Sequence, residues 1–382
     1  MKDLRIEKLA NNLLNHSIGI KNGEKVLIEI LGMDALPLGK ELIKQAENMG
    51  ALPFFNIIDY EVMREMLVNA SEEQIKIYAK HDLQKMQDMD CYIGIRASKN
   101  ASELNGIPKE KMEIYNKFYT LPVHFEERVK NTKWCILRYP NSSMAQMSNM
   151  DTEEFEDFYF KVCTLDYDKM SKAMDNLVNL MNETKSVHIL GEGTDLKFSI
   201  EGIPAEKYMG TFNIPDAEVA TAPVKTSVNG YITYNTDTSY NGVLFNNIRF
   251  EFENGKIIKA TANKTKELNE ILDTDEGSRY IGEFAIGLNP YIERPIGDTL
   301  FDEKIKGSFH FTPGNSLEES DNGNRSSIHW DIVNIQTPEY GGGEIYFDNV
   351  LVRKDGKFVL EDLKPLNPEN LIWNINENKK IK

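Results

Sequence analysis

Cysteine, histidine and positive charge are all scarce in this 382-residue chain. The three cysteines, Cys91, Cys135 and Cys163, are odd in number and include no Cys-x-x-Cys pair, which argues against a disulfide framework. Cys91 and Cys135 lie inside apolar, strand-like runs, so buried free thiols in a reducing cytoplasm are expected. Lys and Arg number 44 against 60 Asp and Glu, a net charge of −16. Such an acidic surface argues against nucleic acid and anionic membranes as main partners. No apolar run approaches the roughly 18 residues of a membrane helix, and the charged start Met1-Lys-Asp-Leu-Arg-Ile-Glu-Lys is not that of a signal peptide. Nucleotide and nucleophile motifs are missing too. There is no Gly-x-Gly-x-x-Gly after the first strand, no phosphate-binding Gly-x-x-x-x-Gly-Lys loop, no Gly-x-Ser-x-Gly elbow and no His-Glu-x-x-His helix. Gly191-Glu-Gly193 is only a fragment of the first of these and sits in a turn.

What is present is an ordinary globular composition, 41% hydrophobic and 27% charged, in a chain too long for one typical core. Two domains are expected, residues 1–184 and 185–382. In the first, strand patterns at 25–30, 51–58, 91–96 and 133–139 alternate with helical patterns at 36–48, 61–86, 108–119, 123–129 and 152–182. Gly50 is a natural C-cap for the first of these helices. That alternation predicts an α/β domain with a mostly parallel sheet and helices on both faces. The second half is α+β: a strand-rich, mixed domain with an Asn254-Gly255 hairpin turn, a further turn at Lys354-Asp-Gly356 and one helical insert at 262–272.

Two of the six histidines share one setting. In Ser-Ser-Ile-His-Trp-Asp-Ile, the alternation predicts a strand with Ile328, Trp330 and Ile332 on one side and His329 and Asp331 on the other. In Gly-Ser-Phe-His-Phe-Thr, Phe309 and Phe311 oppose Ser308, His310 and Thr312. An imidazole and a carboxylate on the polar face suit a borderline metal ion. Two glutamates stand in unusual surroundings as well. Glu218 lies in a stretch bracketed by Pro215 and Pro223, and Glu283 lies in the apolar run Ile-Gly-Glu-Phe-Ala-Ile-Gly. A carboxylate among apolar neighbours must be exposed, paired or cation-bound. Three carboxylates and two neutral imidazoles carry three negative charges, and two divalent ions carry four positive ones. The remaining charge suits a bridging hydroxide, the nucleophile of amide hydrolysis.

These residues lie in a recognisable series. Asn213-Ile-Pro-x-x-Glu218-Val, Thr274-Asp-Glu-Gly-Ser-Arg-Tyr-Ile-Gly-Glu283, Thr299-Leu-Phe-Asp-Glu with Gly307-Ser-Phe-His310, and Asn324-Arg-Ser-Ser-Ile-His329-Trp-Asp331 follow one another in that order. The series resembles the thermophilic aminopeptidase family, the aminopeptidase T, S and II group. The resemblance implies cytosolic metallo-exopeptidases with an N-terminal α/β domain and a C-terminal metal domain, forming homodimers and acting on short peptides. It implies that Glu218, Glu283, His310, His329 and Asp331 hold two divalent ions (Zn, Co or Mn), with Glu218 and Glu283 nearest the nucleophilic water. One departure stands out. The family commonly has a Tyr seven residues after the third-motif His, where this chain has Leu317. Tyr340 is a weak substitute, better read as packing beside the Gly341-Gly342-Gly343 turn. The alternative readings are a single non-haem iron held by His310, His329 and Asp331, as in ring-opening dioxygenases that resemble this family, and a non-catalytic peptide- or metal-binding relative.

Overall fold

The computed structural model describes residues 3–372 except positions 101 and 241. The chain divides into two compact units, one of residues up to 164 with 210–215, the other of 165–209 with 216 onward. This differs from a single boundary at 184/185. Helix Tyr167–Glu183 clusters with the second unit because its buried face packs on strands Glu206–Tyr208 and Glu218–Thr221 of that unit. The returning segment 210–215 joins the first unit because Asn213–Ile214 adds an edge strand to its sheet.

In the first unit the sheet is wholly parallel, in the order Leu52–Ile58, Lys25–Leu31, Cys91–Arg96, Lys133–Arg138, Asn213–Ile214. Near-continuous apolar strands such as Lys-Val-Leu-Ile-Glu-Ile-Leu are what a sheet covered on both faces requires. Helix Leu36–Asn48 lies so close on one face that a Cβ on Gly39 would meet the Ile30 side chain at 2.3 Å. On the other face Leu27 and Tyr92 pack with Leu67, Ile75, Ala79 and Met86 of helices Tyr60–Asn69 and Glu72–Gln87. Side-chain caps start these helices: Asp59 accepts the N–H of Glu61 and Val62, and Ser71 that of Gln74. The helical patterns expected at 108–119 and 123–129 fuse through a π-helix, Asn116–Arg128, that contains Pro122. The single helix expected over 152–182 is two, Thr152–Cys163 and Tyr167–Glu183, the second capped by Asp166. Cys91, Cys135 and Cys163 are free and buried, as expected. No helix among the described residues is long and apolar enough to cross a membrane.

The second unit holds an eight-stranded antiparallel sheet and a five-stranded one. The smaller sheet runs in the order Val333–Ile335, Ser308–Pro313, Ile281–Gly287, Glu218–Thr221, Glu206–Tyr208. Phe198 of the larger sheet meets Phe284 and Phe311 of the smaller, each at 5.1 Å between ring centroids, so aromatic side chains form the layer between them. The hairpin turn at Asn254-Gly255 forms with both residues at positive φ.

Candidate metal centre

The smaller sheet sorts its side chains by alternation. Phe284, Ile286, Phe309 and Phe311 are fully buried on the side facing the larger sheet. On the opposite side, register pairs Ala285 with both His310 and Ala220, and Gly287 with Glu218. Alanine and glycine there leave room for the longer polar groups beside them. Glu283 reaches that side through a β-bulge. Ile281 pairs with Pro313 on the apolar side, whereas Glu283 pairs with Thr312 on the polar side, so Gly282 is the extra residue. A Cβ on Gly282 would lie 2.2 Å from the Asn315 carbonyl oxygen, which leaves glycine as the residue that fits.

The stretch at 328–332 is not the regular strand that its alternation predicts. Only an isolated bridge from His329 to Gly314 forms, and the strand begins at Val333. The Ser326 hydroxyl and the Ser327 N–H and hydroxyl instead anchor this segment to Asp275, which also accepts the N–H groups of Gly277 and Ser278. Ile328, Trp330 and Ile332 are buried all the same. His329 and Asp331 are thus turned to the polar side, with side chains 30% and 15% exposed.

All five sequence-predicted residues converge. Glu218, Glu283 and His310 form one group and Glu283, His329 and Asp331 a second, with ligand atoms in each within 4.8 Å of one another. Glu283 belongs to both. Its Oε1 lies 3.4 Å from His310 Nε2 and its Oε2 3.1 Å from His329 Nε2, which is 3.2 Å from Asp331 Oδ1. Neighbouring groups fix the orientation. His329 Nδ1 is 2.8 Å from the Asn315 carbonyl oxygen, so that nitrogen donates and Nε2 faces the carboxylates. The Thr312 hydroxyl donates to Asp331 Oδ1 at 2.8 Å.

The donor set fits divalent cations. Among the described residues Glu218 Oε2 and His310 Nδ1 are buried without a hydrogen-bond partner, and they face each other 3.8 Å apart. That is too far for a hydrogen bond and suits two atoms sharing an ion. The protonation balance points the same way. Burial pulls His310 down, but Glu218 and Glu283 outweigh it and push the imidazole up to about 10. Burial likewise opposes a charged His329, yet Asp331 and Glu283 carry it well above its ordinary value. Burial raises Glu283, and the hydrogen bonds of the two imidazoles bring it down to about 2. Protein groups alone therefore satisfy these carboxylates only by protonating both histidines, a role that cations fill when imidazoles act as ligands.

Sequence reading missed the cation already there. Lys304, 2% exposed, places Nζ 2.5 Å from Glu218 Oε1, 2.7 Å from Glu303 Oε1 and 3.6 Å from Asp216 Oδ1. Burial pushes Glu303 up to about 8 and Glu218 up to about 7, each countered by the ammonium. Glu303 lies within the third motif, but nothing in Phe301-Asp-Glu-Lys304 distinguishes a buried charge from the exposed ones usual after a short helix. The structure also introduces Tyr208, the register partner of Glu218, whose phenol is raised first by burial and then by the charges of Glu283, Glu319 and Glu218. Tyr340 ends a 3-10 turn before Gly341, and no hydrogen bond or ion pair among the described residues joins it to the five.

Comparisons with known proteins show the family to which this chain belongs. A family model described as thermophilic metalloprotease (M29) matches residues 2–358. Aminopeptidase PepS of Streptococcus thermophilus is 24% identical, over 86% of this chain and 91% of that protein. Wild-type AmpT from Thermus thermophilus superposes with a TM-score of 0.77 at 22% identity, covering 94% of this chain and 99% of that one. A 2,5-dihydroxypyridine dioxygenase from Pseudomonas putida KT2440 shares the fold at 13% identity and a TM-score of 0.59, covering 94% and 98% of the two chains. With the family model spanning nearly its whole length, this chain belongs to the thermophilic metalloprotease family, M29, a family of hydrolases.

Proposed function

We propose that this chain is an aminopeptidase that removes the N-terminal residue of short peptides at a centre of two divalent ions, Zn, Co or Mn. The observation that carries the reading is the position of Glu283 between two imidazole–carboxylate groups. When bound, the ions supply Lewis acidity and a water made nucleophilic near neutral pH. Glu218, Glu283 and His310 would hold one ion, and Glu283, His329 and Asp331 the other. Glu218 and Glu283 would supply the carboxylates beside a water activated by those ions. Lys304 fixes Glu218 from behind and offsets part of its charge. Glu303, raised to about 8 by burial, carries an exchangeable proton near neutral pH. Substrate enters from the side of His329 and Asp331, the two ligands with exposed surface. The acidic cluster favours a peptide ammonium there. The proposal includes a cytoplasmic homodimer, in keeping with three buried free thiols and a strongly acidic chain.

Glu218 and Glu283 also favour this reading over a single iron held by His310, His329 and Asp331, because both lie within ligand distance of the histidines. The test is release of the N-terminal residue from a peptide panel by protein loaded with zinc, cobalt or manganese. Activity should depend on the added ion and fall more than about a hundredfold in Glu283→Gln, since losses at outer-shell partners of metal ligands already reach that size. Protein that releases no residue from any peptide, with or without chelator, refutes it.

A further inference from the structure

We propose that the first unit carries a separate site for a small zwitterion of the free α-amino-acid class, in a cavity of about 180 Å³ at the carboxyl ends of strands Lys25–Leu31 and Cys91–Arg96. The position follows from topology. Strand Leu52–Ile58 lies on one side of Lys25–Leu31 and Cys91–Arg96 on the other, so the chain reverses its direction of winding between the two inner strands. Open parallel sheets form a crevice at the carboxyl ends of such a pair.

The sheet face below the cavity presents Glu29 and Leu31 from one strand and Tyr92, Gly94 and Arg96 from its neighbour. Gly94 is opposite Glu29, and a Cβ there would press on the Tyr92 ring and hydroxyl at 2.9 Å, so glycine keeps the floor open. Glu29 is half-buried and accepts the Tyr92 hydroxyl at 2.7 Å. Arg96 lines the same cavity, and its guanidinium makes no hydrogen bond or ion pair with any described residue. Glu29 and Arg96 are two residues apart along the strands and one strand apart across them, about 8 Å between backbones from standard spacings of about 3.3 and 4.8 Å. That gap suits an ammonium on Glu29 and a carboxylate on the guanidinium fork, one carbon between them.

The walls are Tyr60, Tyr115, Tyr119, Met63 and Leu104, which suit an ammonium over a ring face and an apolar side chain beside it. Drug-sized ligands need roughly 300 Å³ or more, and benzene fits in about 150 Å³, so a single amino acid fits where a peptide does not. Tyr119, Thr120 and His124 reach the cavity from the π-helix Asn116–Arg128, a distortion frequent at functional sites.

Calorimetric titration of the full chain tests the assignment, with L-leucine, L-methionine and L-tyrosine and with their N-acetyl and amide forms. The free amino acids should bind. Capping either end, or substituting Arg96→Met, should weaken binding at least about tenfold. Glu29→Gln, which retains a partner for Tyr92, should act as Arg96→Met does and serves if that variant misfolds. His329→Ala at the metal centre should leave binding unchanged. Absence of binding by all three amino acids, equal binding of capped forms, or binding lost in His329→Ala but kept in Arg96→Met overturns the proposal. No hydrolysis is read, so failure of the aminopeptidase reading would not alter these outcomes.

Discussion

Lys304→Met removes the ammonium that three carboxylates share and retains most of the stem volume. Asp216, Glu218 and Glu303 lie within 3.6 Å of that nitrogen, and Asp216 and Glu218 are themselves 1% and 5% exposed. Breaking a buried ion pair from one side costs about 3–5 kcal/mol, because the partner charge is left in a poorly polarisable interior. The substitution should therefore cost about 4 kcal/mol. A unit of this size loses roughly 2–4 °C of melting temperature per kcal/mol, so the transition should fall by about 8–16 °C. A typical total stability of 5–15 kcal/mol leaves the variant folded. The assay is thermal unfolding by circular dichroism with chelator present, so that no added ion compensates the carboxylates. Adding Glu303→Gln to the variant should restore about 1 kcal/mol or more, a non-additivity expected of groups in one network. A Lys304→Met protein within about 0.5 kcal/mol of the parent, the range of surface substitutions, would refute the claim that this ammonium holds the centre together.

Other outcomes follow from named contacts. Asp275→Ala removes the acceptor that ties the 326–327 segment down, so divalent-ion affinity should fall about 10–100-fold, read by ion titration, with the fold retained by circular dichroism. Burial, with Arg128 and Arg96 behind it, holds His124 down at about 4 from its ordinary 6.5. The neutral ring belongs to the folded state, so its contribution is complete above about 6.5 and is lost as pH falls toward 4, up to about 3 kcal/mol. His124→Phe should flatten urea stability across that window, and an unchanged slope there would contradict the assignment. Removal of divalent ions by chelation should lower the melting temperature of the parent and have a much smaller effect in a His310→Ala, Glu283→Gln double variant.

Much of this was legible in the sequence, and the gaps have physical causes. Helix Leu36–Asn48 and strand Cys91–Arg96 were readable to the residue because period and capping agreed. The break near Leu165 was not, since two amphipathic helices with a short link keep nearly continuous apolar spacing and only the Asp166 cap marks the restart. The turn at Asp348-Asn349, both at positive φ, was hidden because it contains no glycine. At the centre, alternation put His310 and Asp331 on polar faces without any tertiary knowledge. Lys304 and Tyr208 were invisible because their roles come from which strand neighbours which, and spacing along the chain does not encode that.

The bulge at Gly282 has an evolutionary side. Alternation alone would place Ile281 and Glu283 on the same side of the sheet, and one additional residue is what separates them. Loss of that residue in one in-frame deletion would leave Ile281 on the apolar side and Glu283 on the polar side in plain alternation, so a lineage can shed the bulge without exchanging the groups on the two surfaces.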